Sequence, residues 1–142
     1  MIVGIGVDLV KIPRIAAALA RFGERFKQRL FTPAEIAYCD AHAKPEYNYA
    51  LRFAAKEAFS KALGVGLRQG GIFWRDVAVV SAPSGRPDLQ VSGRAARLCQ
   101  QHGVTGMFVS LSDEGEYGVA VVVLERSDCP PPLPGTPAGA VQ

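Results

Sequence analysis

Apolar and small residues alternate through residues 2 to 10. Val3, Ile5, Val7 and Leu9 share one face of an extended segment and Gly4, Gly6 and Asp8 the other, which predicts a buried strand whose second face is bare until its carboxylate. From Pro13 the period changes. Ile15, Leu19, Phe22, Phe26 and Leu30 recur at helical spacing with Arg14, Arg21 and Arg25 on the other side, predicting one amphipathic helix opened by its proline and basic outside. Thr32-Pro33-Ala34-Glu35 combines an N-cap, an N1 proline and an N3 glutamate, so a second, short helix starts there and runs to about His42.

Pro45 opens a third helix, and Gly64 ends it. Leu51, Ala54, Ala55, Ala58 and Ala62 give this helix a broad small-residue side suited to close packing, while Glu57 and Lys61 lie one turn apart on another side. Farther on, residues 77 to 82 read as a strand, 83 to 87 as a turn and 89 to 91 as a short strand. Ser92 caps a helix to about His102, and residues 107 to 112 and 117 to 124 form a hairpin around Asp113, Glu114, Gly115 and Glu116. Helices early and strands late make this an α+β order.

Composition narrows the classes. The 142 residues suit one domain, residues 1 to 126, and residues 127 to 142 hold five of the ten prolines and no charge beyond Asp128, so they read as a disordered tail. Cys39, Cys99 and Cys129 match neither a zinc spacing nor a disulfide scaffold, and reduced cytoplasmic thiols are expected. The apolar start lacks a basic flank and stops at Asp8, and no uncharged apolar stretch approaches membrane-spanning length, so neither secretion nor a membrane partner is expected. A net charge of +3 is too small to argue for nucleic acid, but residues 1 to 30 are locally +4, which suits an acidic partner.

Asp8 and Glu57 are the candidate chemistry. An acid ending an apolar strand must be exposed at its tip, paired or metal-bound. With Lys61 nearby, and with Gly64, Gly66, Arg68, Gly70 and Gly71 offering bare backbone and a cation, the two carboxylates fit Mg²⁺ and a phosphate. The bland alternative is an exposed Glu57–Lys61 pair at i,i+4 spacing, worth about 0.2 to 0.5 kcal/mol. His42 and His102 sit near predicted helix C-termini, where imidazolium is stabilised by the helix dipole, and are read as structural.

Gly4-Ile5-Gly6-Val7-Asp8-Leu9-Val10 with Arg14-Ile15, and Arg52-Phe53-Ala54-Ala55-Lys56-Glu57-Ala58 with Lys61-Ala62-Leu63-Gly64, closely resemble the holo-[acyl-carrier-protein] synthase family, the short bacterial 4′-phosphopantetheinyl transferases. Thr32-Pro33-Ala34-Glu35, Gly85-Arg86-Pro87 and Val109-Ser110-Leu111-Ser112-Asp113 match in order, so the resemblance covers roughly residues 1 to 126. It implies an antiparallel-type sheet with a long helix packed on it, and transfer of the phosphopantetheine arm of coenzyme A to a serine of apo acyl carrier protein in fatty acid biosynthesis. A cytoplasmic homotrimer with active sites between protomers is also implied.

Carried over by position, Asp8 and Glu57 are the family's metal ligands for Mg²⁺. Lys61 stands where a lysine contacts the coenzyme's phosphates, and Arg14 and its helix, with Arg21 and Arg25, where the carrier docks. Arg52, Lys56, Gly64, Gly66, Arg68 and Arg86 are candidate coenzyme contacts. Glu57 is the first candidate base and Glu35 the second. The chain departs from the family at Phe108, where many members carry a histidine, while Asp113 occupies a position where His or Asp is expected.

A competing reading is a basic helix that binds RNA or another polyanion. It lacks exposed aromatics interleaved with the basic residues, because Phe22 and Phe26 fall on the predicted core stripe.

Overall fold

The first and last strands of the chain are neighbours. The computed structural model describes residues 1–67 and 72–128, in the order β1 (Ile2–Lys11), α1 (Ile12–Phe22), α2 (Glu24–Leu30), α3 (Pro33–Asp40), α4 (Pro45–Leu63), a 3₁₀ turn (Trp74–Asp76), β2 (Val77–Ser81), β3 (Pro87–Val91), α5 (Gly93–Gln101), β4 (Gly106–Glu114) and β5 (Tyr117–Glu125). Arg68, Gly70, Gly71, Cys129 and the expected proline-rich tail beyond Asp128 lie outside the described residues. β1, β5 and β4 form an antiparallel sheet in that order, and β2 and β3 pair as a separate hairpin. The α+β class expected from the sequence is the class observed.

The long helix α4 lies across this sheet, and glycine decides how. A Cβ added to Gly4 would sit 1.8 Å from the main-chain oxygen of Ala62, and one added to Gly6 equally close to that of Ala58. The alanine side of α4 therefore rests on bare strand backbone. The strand expected to be buried is covered on one face only: its glycine face is inside, and Ile5 and Leu9 are 62% and 66% exposed on the outer face. Alternation separates the two faces of a strand without saying which one is covered, and here the tight helix contact requires the face with no side chains. Strand pairing puts Val121 opposite Val7 and Val123 opposite both Ile5 and Phe108, so the outer face of the sheet is an apolar surface.

The expected first helix is two helices. Gly23, at φ +54°, ends α1 by donating its N–H to Leu19 O and opens α2 by accepting from Phe26 and Lys27. Its left-handed backbone changes the direction of the chain. Phe22 is consequently 52% exposed instead of core, while Phe26 packs edge-on against buried Phe31, which meets Tyr49 in the same manner.

Local signals elsewhere hold with small shifts. Thr32 and Glu35 form the reciprocal capping box, and α3 stops at Asp40, slightly before the expected end. α4 begins at Pro45 and ends on left-handed Gly64 as expected. The β4–β5 hairpin is tighter than expected, because Asp113 and Glu114 belong to the strand and only Gly115 and Glu116 turn. Ser92 precedes α5 without a capping hydrogen bond from its side chain. His42 Nδ1 lies 2.7 Å from Tyr38 O and His102 caps α5, both at helix C-termini. Cys39 and Cys99 are buried free thiols, and burial pushes the Cys39 thiol up to about 12. No helix among the described residues is long and apolar enough to cross a membrane.

Candidate functional site

Asp8 follows Gly4 and Gly6 on the inner face of β1, and α4 carries Glu57, Ser60 and Lys61 past that face within about one turn. Lys61 Nζ lies 3.1 Å from Asp8 Oδ1 and donates to Val7 O at 3.1 Å. The Glu57–Lys61 pair is thereby replaced by a pair joining two distant segments, since the ion pair Lys61 makes is to the strand. Ser60 Oγ donates to Glu57 O at 2.8 Å, and α4 ends at Gly64, whose left-handed turn leads the backbone outward. Glu57, Ser60, Lys61, Gly64, Val65, Gly66, Leu67 and Trp74 line an open cavity of about 630 Å³.

Glu57 is half-buried. Desolvation raises its carboxyl pKa, the negative charge of Asp8 raises it further, and Lys61 partly offsets both. Two like charges that disfavour each other, beside an ammonium and exposed main chain, suit a divalent cation shared with an anionic substrate. No group of three or more His, Cys, Asp or Glu side chains with metal-site geometry occurs among the described residues. The two carboxylates match the chemistry of Mg²⁺, which keeps several waters and takes remaining ligands from substrate phosphates.

The structure brings Asp8, Glu57, Lys61, Gly64 and Gly66 to one place. Arg52 and Arg86 are not among the residues that line this cavity. Arg52 is buried, with its guanidinium 4.1 Å over the Tyr38 ring, and Arg86 is exposed on the β2–β3 turn. Arg14 and Arg21 are exposed on α1 and Arg25 on α2, so the expected basic docking helix is a bent, two-helix surface. Phe22, Arg25, Phe26, Arg29, Leu30, Phe53 and Trp74 line a second hollow of about 420 Å³. Trp74, stacked on Phe53 at 5.0 Å, borders both hollows.

Lys56 and Glu35 correct the sequence reading most. Lys56 is fully buried, neither a surface charge nor open to a phosphate, and its ammonium lies 2.7 Å from Glu35 Oε1. Glu35 is 1% exposed, and its oxygens also accept from the N–H groups of Thr32 and Val79. A carboxylate enclosed and occupied in this way cannot reach a substrate hydroxyl, so Glu35 is removed as a candidate base. Sequence reasoning also missed Ser60 and Trp74. Ser60 was reachable, because it follows Glu57 by three residues on the helix face; nothing local marks Trp74.

The model of the 4′-phosphopantetheinyl transferase superfamily matches residues 4–122. The holo-[acyl-carrier-protein] synthase of Koribacter versatilis is 47% identical over 125 residues, covering 88% of this chain and 99% of that protein. That of Methylobacterium sp. is 52% identical over 129 residues, covering 88% and 95%. Among solved structures, the holo-[acyl-carrier-protein] synthase of Neisseria meningitidis superposes with a TM-score of 0.81 at 35% identity, covering 89% of this chain and 100% of that one. The Helicobacter pylori holo-[acyl-carrier-protein] synthase in complex with coenzyme A gives 0.75 at 30% identity, covering 85% and 99%.

Proposed function

Because the chain belongs to the holo-[acyl-carrier-protein] synthase family of 4′-phosphopantetheinyl transferases, we propose that it moves the phosphopantetheine arm of coenzyme A to a serine of apo acyl carrier protein. The observation that carries the mechanism is the convergence of Asp8, Glu57 and Lys61 beside one open cavity. The serine oxygen attacks the phosphorus attached to the pantetheine arm, a new P–O bond forms, and the bond to the diphosphate's bridging oxygen breaks. Adenosine 3′,5′-bisphosphate leaves, carrying the electron pair of that bond.

Asp8 and Glu57 are the residues that would hold Mg²⁺, which when bound supplies charge cancellation on the non-bridging phosphate oxygens. Lys61 holds the diphosphate and neutralises the leaving phosphate. Glu57 is the group that accepts the serine proton at its carboxylate. Gly64 and Gly66 admit the coenzyme close to main chain, which is the use of residues without side chains at such a place.

Arg14, Arg21 and Arg25 form the docking surface for an acidic carrier. The apolar outer sheet face of Ile5, Val7, Leu9 and Val121 is the surface through which copies assemble into a homotrimer, because exposed apolar area of this kind favours burial. A cytoplasmic setting and a role in fatty acid biosynthesis belong to the same reading. The exposed Phe22 ring, with Arg21 5.1 Å above it, is an aromatic and basic pairing that a polyanion binder would also use. The adjoining carboxylates favour the transferase.

Mass spectrometry of an apo carrier incubated with coenzyme A tests the proposal. The carrier gains the phosphopantetheine mass only with Mg²⁺ present, and Asp8→Ala or Glu57→Ala abolishes the gain. Transfer that proceeds equally in a chelator overturns the metal assignment, and no transfer by the unaltered protein overturns the function.

A further inference from the structure

Lys56 immediately precedes Glu57 yet takes no part in the cavity. Its ammonium has three N–H donors and three acceptors: Glu35 Oε1 at 2.7 Å, Trp74 O at 3.1 Å and Val77 O. These come from the start of α3, the 3₁₀ turn and the start of β2. Glu35 answers in kind, accepting at Oε1 from Thr32 N at 3.0 Å and at Oε2 from Val79 N at 3.1 Å. One enclosed ion pair therefore ties α3, the 3₁₀ turn and β2 to a single point on α4.

Stability alone is a weak reason for such a pair. Desolvating two charges offsets most of their attraction, and packed apolar residues of similar volume often serve stability as well or better. The seating of α4 on the sheet is already set by the glycine contacts with Ala58 and Ala62. What the pair adds is direction. Trp74 O is held to α4 through Lys56, and Trp74 lines the cavity together with Glu57 and Lys61. The Phe53–Trp74 stack supplies contact without fixing that main-chain position.

We infer that Glu35 and Lys56 are positioning residues for the coenzyme site: by fixing the Trp74 wall against α4 they set the width of the cavity that receives coenzyme A. This rests on the transferase reading for the identity of the ligand, but the placement of Trp74 can be read without turnover, because Trp74 is the chain's single tryptophan.

The experiment compares the unaltered protein with the double variant Glu35→Leu/Lys56→Met, which keeps the volume apolar, and with Glu35→Gln, which removes only the charge and one acceptor. Thermal unfolding, Trp74 emission and acrylamide quenching, and KM and kcat for coenzyme A are measured on each. The double variant is expected to fold cooperatively, with Trp74 emission shifted to the red and more readily quenched. Its KM for coenzyme A rises about tenfold while kcat changes less than about threefold, the pattern of lost binding geometry. Glu35→Gln shows the same changes in smaller measure. A folded double variant with unaltered emission and KM overturns the inference, as does a fall in kcat at constant KM. Should the double variant not fold, folded Glu35→Gln decides: unchanged emission and KM overturn the inference, and a shift in both upholds it. An unaltered protein that fails to load the carrier sinks the transferase reading instead, and the emission comparison still judges the placement of Trp74.

Discussion

Lys61 Nζ and Asp8 Oδ1 are 3.1 Å apart although 53 residues separate them, so one ammonium that lines the cavity links β1 to the long helix. The lysine side chain is half exposed. An ion pair in that setting stabilises by less than about 1 kcal/mol.

Lys61→Met should therefore leave unfolding free energy within about 1 kcal/mol of the unaltered protein while lowering kcat about a hundredfold, the scale expected when a charge that stabilises a transition state is removed. Urea unfolding and carrier loading measured on the same preparation check this. Comparable losses of stability and activity would assign Lys61 to the fold.

Gly6→Ala should separate β1 from α4. The added methyl meets the oxygen of Ala58 at 1.8 Å, a contact that neither main chain relieves by a rotamer change, and the cost is about 3 kcal/mol. Denaturant titration reads it directly; a change under about 1 kcal/mol would mean that the helix can ride higher on the sheet.

Val7→Lys on the outer sheet face should yield a folded single copy. Sedimentation velocity of the unaltered protein should report three copies and that of the variant one, with transfer activity lost in parallel. A single copy for the unaltered protein at micromolar concentration refutes the assembly surface.

Arg14→Glu combined with Arg21→Glu should raise the KM for the carrier about tenfold at low ionic strength, with the gap narrowing as salt screens both proteins. Steady-state kinetics across a salt series is the measurement. A gap insensitive to salt places the carrier elsewhere.

Acid should expose the Tyr49–Asp40 contact. The Tyr49 hydroxyl donates to Asp40 at 2.7 Å and is the main reason the Asp40 pKa lies below its ordinary value; burial opposes the shift and Lys27 assists it. A depressed carboxyl contributes stability that is present above its unfolded pKa and lost as pH falls through its folded one. Tyr49→Phe is thus expected to cost about 1 kcal/mol near neutral pH, discounted for the partial exposure of Asp40, and progressively less as pH drops below the ordinary Asp value of 3.8. Unfolding titrations from pH 7 to 3 decide, and a cost that does not vary with pH shows that packing alone is involved.

Local chemistry made much of this molecule legible. The capping box of Thr32 and Glu35, the proline and glycine that bound α4, and the β4–β5 hairpin each lie within a few residues of one another, where periodicity and turn chemistry act. Asp8, Glu57 and Lys61 were legible as candidates from an acid ending a glycine-faced strand, a helix followed by glycines, and the family motifs they sit in. What escaped depends on distant partners. The orientation of β1 is set by α4, the exposure of Phe22 by a bend at Gly23, and the burial of Lys56 by Glu35, 21 residues earlier. A lysine reads as solvated in any window that omits its partner.

The adjacency of β1 and β5 also carries an entropic cost. Asp8 is aligned with Ala120, so the strand bearing one of the two candidate carboxylates pairs only across the helices and the β2–β3 hairpin that lie between them in sequence. Contacts within the helices are local, whereas this pairing carries the closure entropy of a long loop. Holding Asp8 against α4 is therefore a non-local event, set by a contact between distant parts of the sequence.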